Sequence, residues 1–132
     1  MMKVNTSSRV LGIGMDLVDV DRIAKAIERQ GAAFLSRVFT ALEREYCEGK
    51  ANAAQHFAVR FAAKEAVSKA FGTGIGSEIG FLDIELKNQP SGAPRIILHG
   101  KGRLLAESRG VSEVLVSLSH TQQVAGASVL LQ

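Results

Sequence analysis

The chain has 132 residues, 46% hydrophobic and 22% charged, with 16 Lys+Arg against 13 Asp+Glu for a formal charge of +3. That length suits one domain rather than two independent cores, and the composition excludes disorder and fibrous repeats. The single cysteine, Cys47, excludes a disulfide framework or a cysteine-rich zinc site and fits a reducing compartment. The apolar stretches fall short of the ~20 residues that cross a bilayer, and residues 1–8 are too polar for a signal peptide. A cytoplasmic protein is expected.

Residues 9–15 (RVLGIGM) predict a short, mostly buried strand ending at Asp16, with Gly12 and Gly14 allowing another backbone close. A helix is expected from about Asp19, with Asp19 and Asp21 at its cap and first turn. Ile23, Ala26 and Ile27 form its apolar stripe, Arg22, Lys25 and Arg29 its basic face, and Gly31 its end. Residues 32–39 predict a short helical turn. Thr40 and Glu43 form a capping box (T-x-x-E) that opens a charged helix to about Gly49. Asn52 caps the longest helix, which meets no Gly or Pro until Gly72 at its C′ position. Beyond the loop TGIGSEIG, residues 81–87 alternate apolar and polar as a half-buried strand. NQPSGAP is a turn, 95–98 the returning strand, and 100–109 a short basic helix. Residues 111–118 and 124–131 are two further strands joined by the polar turn SHTQQ. The order β-α-α-α-β-β-α-β-β predicts an α+β domain over 9–132, its mainly antiparallel sheet packed against one long helix and shorter helices.

The chemistry concentrates on two acids. Phe57, Phe61, Glu65 and Lys69 share one i, i+4 column of the long helix, so a carboxylate lies on an apolar face. Such a group needs a partner, either Lys69 one turn on or a metal. Asp16, at the end of a strand, either caps the next helix or faces a cleft. Two isolated carboxylates suit Mg²⁺, which takes its remaining ligands from water and substrate phosphates, although spacing alone does not decide this. Arg60 and Lys64 align with His56, as a solvated face or as a phosphate-binding one. His120, beside Ser119 and Thr121, is a solvated loop residue or one of several donors to an anion. The spacing of His56, His99 and His120 excludes the known zinc motifs, GTGIG follows a helix and matches no phosphate loop, and no nucleophile elbow is present.

GIGMDLVDVDRI (12–23) and RFAAKEAVSKAFGTGIG (60–76), followed by PSG at 90–92 and SLSHT at 117–121, closely resemble the holo-acyl-carrier-protein synthases, the small trimeric class of 4′-phosphopantetheinyl transferases. The resemblance runs from about Val10 to the C-terminus and leaves residues 1–8 as an extension. It implies transfer of the phosphopantetheine arm of coenzyme A to a serine of apo-acyl carrier protein, releasing adenosine 3′,5′-bisphosphate, in support of fatty acid biosynthesis. By motif, Asp16 and Glu65 match the Mg²⁺ ligands and Lys69 a lysine beside the pyrophosphate. Arg60, Lys64 and His120 match positions at or near the coenzyme A cleft. Arg22 matches a residue that docks the carrier, and the basic face it shares with Lys25 and Arg29 suits an acidic carrier helix. The resemblance also implies a homotrimer with active sites between subunits, so that the first motif and the long helix can come from different chains. Ala26 departs from the larger apolar residue that the family often presents there.

Two other classes compete. An RNA-binding module would use the basic balance, but 5% aromatic residues and no tryptophan leave little for bases to stack on. A non-catalytic adaptor for acyl carrier protein would not require acids at both 16 and 65. The expectation is therefore an enzyme without nucleic-acid or membrane partners.

Overall fold

The computed structural model describes residues 9–132, and the extension expected at 1–8 lies outside them. In chain order the elements are β1 (Gly12–Asp19), α1 (Val20–Gln30), α2 (Ala32–Val38), α3 (Ala41–Glu48), α4 (Ala53–Ala70), a 3-10 turn at Phe81–Asp83, β2 (Ile84–Asn88), β3 (Pro94–Leu98), α5 (Gly100–Ser108), β4 (Val114–His120) and β5 (Val124–Leu131). The α+β class and the antiparallel pairing are as expected. The β structure is divided, however, into a three-stranded sheet ordered β1-β5-β4 and a separate β2-β3 hairpin. No helix among the described residues is long and apolar enough to cross a membrane.

α4 is the centre of the domain. Twelve of its 18 residues are buried, so it is enclosed on several sides instead of showing one apolar stripe. β1 and β5 cover one side, while α1, α3 and β2 pack on others. Its end is as the sequence predicts: Gly72 has φ +78, and its N–H donates to Lys69 O at 2.9 Å. At the other end Asn52 does not cap with its side chain, which donates instead to Gln55 Oε1 at 2.7 Å.

Three boundaries differ from expectation. β1 runs to Asp19, because its register with β5 continues from Gly12↔Leu131 to Asp19↔Val124 and so takes Asp16 into mid-strand. It is also half buried: Gly14 and Val18 face inward, while Ile13, Met15 and Leu17 are exposed. The strand expected from Phe81 begins at Ile84, since the Asp83 carboxylate accepts the Gly80 N–H at 2.7 Å and closes a turn first. β4 is displaced towards the C-terminus and takes in His120, leaving a turn in which Thr121 N–H donates to Val124 O. The short helical turn expected at 32–39 is a seven-residue helix.

The decisive contact is between β1 and α4. A Cβ placed on Gly14 would lie 2.1 Å from Ala66 O, and one on Gly12 would lie 2.2 Å from Ala70 O. Strand and helix backbones therefore touch, which requires glycine on the strand and small residues on the helix. Gly14→Ala is expected to cost about 2–3 kcal/mol, the range of a core overpacking change, in denaturant unfolding. Gly76→Ala, where a new Cβ meets nothing within 4 Å, is the control and is expected to be near neutral.

Candidate active site

The period of a strand puts Gly12, Gly14, Asp16 and Val18 on one face of β1, the face that meets α4. With Gly14 seated on Ala66, Asp16 comes down beside the helix. Lys69 Nζ donates to Asp16 Oδ1 at 2.8 Å and to Met15 O at 3.3 Å. The lysine side chain is 51% exposed and the aspartate 15%, so the ammonium bridges from solvent onto a sheltered carboxylate. The i, i+4 partnership of Lys69 with Glu65 open to the helix alone is thus replaced by a bond across to the strand. The hydrogen bond to Asp16 and that residue's charge raise the proton affinity of Lys69.

Glu65 is partly buried in the same neighbourhood. Burial, and then the negative charge of Asp16, raise its pKa above the ordinary carboxylate value, while Lys69 and Arg22 oppose the rise. Arg22 extends from α1 over the Phe61 ring, 5.7 Å from its centroid and one helical turn before Glu65. Two carboxylates, an ammonium and a guanidinium therefore converge within one chain. The first motif and the long helix thus meet within one subunit as well, beside whatever a neighbouring chain contributes. The donor set fits Mg²⁺: its protein ligands are carboxylate oxygens, and their mutual repulsion favours a cation between them. Among the described residues no group of three or more His, Cys, Asp or Glu forms a closed metal site, so water and substrate would have to supply the other ligands.

The column His56–Arg60–Lys64 is not a solvated face. Lys64 is 0% exposed and donates to Glu43 Oε1 at 2.7 Å, Phe81 O at 2.9 Å and Ile84 O at 2.5 Å. All three ammonium hydrogens are committed, so the expectation that Lys64 serves coenzyme A is corrected: it has no donor left for a phosphate. Burial lowers its pKa and Glu43 counters that shift. Arg60 is also buried, stacked 4.4 Å from the centroid of Tyr46 and donating to Asn88 Oδ1 at 3.1 Å. It lines a small apolar pocket with Leu42, Tyr46 and Leu86. His120 is exposed at the end of β4. Burial lowers the pKa of His56, and Arg60, Lys50 and His120 lower it further, so a second, basic corner gathers around His56.

The capping box at Thr40 and Glu43 is present, but the sequence concealed the second task of Glu43. Its Oε1 serves Thr40 N at 2.9 Å and Lys64, and its Oε2 accepts Leu86 N at 2.9 Å. A glutamate that completes a local motif gives no sign of a distant partner; the available signal was an unpaired lysine in an alanine-rich helix. Cys47 is fully buried, and burial raises its thiol to about 11, which leaves it inert.

On α1, Arg22, Lys25 and Arg29 are exposed and line a cleft of about 700 Å³ with Ala26 and Gln123. Lys25 pairs with Asp21 at 2.9 Å on the open surface. Arg22 belongs both to this cleft and to the surroundings of Glu65.

Residues 12–127 match the model of the 4′-phosphopantetheinyl transferase superfamily, and the chain belongs to that superfamily. A holo-[acyl-carrier-protein] synthase of Koribacter versatilis is 46% identical over 123 residues, spanning 93% of this chain and 98% of that one. The synthase of Helicobacter pylori, solved in complex with coenzyme A, is 35% identical with a TM-score of 0.82, covering 91% of this chain and 99% of that one. That of Neisseria meningitidis is 31% identical with a TM-score of 0.88, covering 94% and 99%. Within the superfamily, the chain is thus a member of the holo-[acyl-carrier-protein] synthase family.

In Asp16→Asn the like charge beside Glu65 is removed, and the Glu65 titration midpoint is expected to fall when followed by carboxyl ¹³C NMR. A midpoint left in place would show that the two acids do not share a site. In the native protein Glu65 binds its proton more tightly than in the unfolded chain. Its contribution to stability is therefore complete below the unfolded pKa and lost as pH rises through the folded one.

Proposed function

We propose that this chain transfers the 4′-phosphopantetheine arm of coenzyme A to a serine of apo-acyl carrier protein, releasing adenosine 3′,5′-bisphosphate in a Mg²⁺-dependent reaction that serves fatty acid biosynthesis. The observation that carries the reading is the convergence of Asp16, Glu65 and Lys69 at one point of a chain belonging to this family. Asp16 and Glu65 would hold Mg²⁺, which when bound neutralises charge on the coenzyme A pyrophosphate. The half-exposed ammonium of Lys69, steadied by Asp16, is available to the leaving bisphosphate as negative charge develops there. The serine oxygen bonds to the phosphorus that carries pantetheine, and the bond from that phosphorus to the bisphosphate oxygen breaks. Glu65, directly or through a water held at the same site, would take the serine proton. Arg60 and His120, in the basic corner around His56, would serve the coenzyme A cleft, Arg60 from its wall and His120 from the exposed end of β4.

The enzyme acts as a homotrimer in this reading. Ile13, Met15 and Leu17 of β1 are 75%, 59% and 63% exposed on the outer face of the three-stranded sheet, with Leu115 of β4 exposed as well. A row of large apolar side chains on a sheet face is a surface that another copy would cover. The cytoplasm, where the unpaired Cys47 persists as a thiol, is the compartment that suits the reaction.

Incubating the chain with apo-acyl carrier protein, coenzyme A and Mg²⁺ is expected to add one phosphopantetheine to the carrier's intact mass, and chelation by EDTA to abolish the gain. A carrier mass that never changes would overturn the transferase reading and leave a carrier-binding adaptor. The α1 cleft is the docking surface for the carrier's acidic helix, through Arg22, Lys25 and Arg29. Arg29→Glu, in the cleft but away from Glu65, is expected to raise KM for the carrier by about tenfold, the scale of a reversed rim charge, with KM for coenzyme A near normal. Equal losses for both substrates would contradict the docking role.

A further inference from the structure

The buried ion pair Glu43–Lys64 lies outside the site just described, yet Lys64 immediately precedes Glu65 in α4. Buried pairs of this kind contribute little net stability, because desolvation offsets most of the attraction; what they can supply is a unique arrangement. α4 has a specific need for one. Seven of its residues are alanines, and the contact with β1 is a smooth meeting of Gly12 and Gly14 with Ala66 and Ala70. Such a surface has few knobs to stop the helix turning about its axis or sliding along it.

Phe57 packs on Phe39 and Phe61 on Phe81, and Lys64 adds a directional constraint from the same side. Its ammonium is fastened to α3 through Glu43, to the 3-10 turn through Phe81 O and to the start of β2 through Ile84 O. Glu43 is fastened in turn to Thr40 N and Leu86 N, and Thr40 Oγ1 donates to Glu85 Oε2 at 2.5 Å, whose other oxygen meets His99 Nε2 at 3.1 Å. Consecutive helical residues are about 100° apart, so fixing the direction of Lys64 fixes that of Glu65. We propose that Glu43 and Lys64 are positioning residues, which hold α4 in the rotation that presents Glu65 to Asp16. This rests on the reading of Asp16 and Glu65 as metal ligands.

The test replaces the pair by near-isosteres, Glu43→Gln with Lys64→Met, which removes both charges and leaves neither buried alone. Mn²⁺ binding by the protein without substrates, followed by electron paramagnetic resonance, is read beside the thermal midpoint and the kinetic constants. Mn²⁺ binding and kcat are expected to fall roughly tenfold, the lower end of what lost support of a metal ligand costs. KM for the carrier, set at the α1 cleft, is expected to hold. A lowered thermal midpoint with unchanged Mn²⁺ affinity and unchanged kcat below the transition would mean a purely structural pair and would overturn the proposal. Wild-type protein that binds no Mn²⁺ would overturn the metal-site reading and the proposal with it. Should the double variant lose cooperative unfolding, Glu43→Asp, which keeps the charges paired but withdraws the carboxylate by one methylene, is expected to weaken Mn²⁺ binding; unchanged binding there would likewise overturn the proposal.

Discussion

The backbone contact between Gly14 and Ala66 governs the geometry of this protein. Where the strand has no side chain, helix and sheet close to a distance that a methyl group would forbid. Two residues further along the same face, the chain has an acid instead of another small residue. Asp16 is therefore brought into a sheltered position beside a helix that carries Glu65 and Lys69. The contact that completes the core thus also assembles the charges, and Asp16 is part of what raises the proton affinity of Glu65.

A second polar system has the opposite character. Lys64, Glu43, Thr40, Glu85 and His99 form a connected chain of hydrogen bonds and ion pairs that runs between α4 and the β2-β3 hairpin. Its central ion pair is fully enclosed, and every donor of Lys64 is satisfied by protein. The Asp16 cluster is half open, and a hydrogen-bonded Lys69 still faces solvent. That contrast separates charges whose partners are all within the protein from charges that remain open to solvent. It explains why neighbouring residues 64 and 65, equally polar on paper, have different fates.

Much of this was legible in the residues. The capping box, the glycine stop at Gly72, the hairpin turn and the close approach at Gly12 and Gly14 are each local or steric signals, and each stands in the structure. Glu65 stood out because an acid on an apolar face needs a partner, Asp16 and Lys69 through the resemblance of their motifs, and the structure brings the three together. What could not be read were long-range pairings. Nothing near Lys64 in sequence announces Glu43, and an alignment of basic residues on a helix looks the same whether it faces water or a buried carboxylate. The end of β1 was missed for a similar reason. Asp16 and Asp19 suggest a strand end and a helix cap, but pairing with β5 over eight residues outweighs that local preference.

The central claim is that Asp16 and Glu65 act as one centre. A double-mutant cycle on kcat/KM, with Asp16→Ala, Glu65→Ala and the two combined, tests it most directly. Residues that function as a unit are non-additive, so the double variant should be little worse than the more damaged single one. Losses that multiply would mean two independent contributions, and would contradict the account.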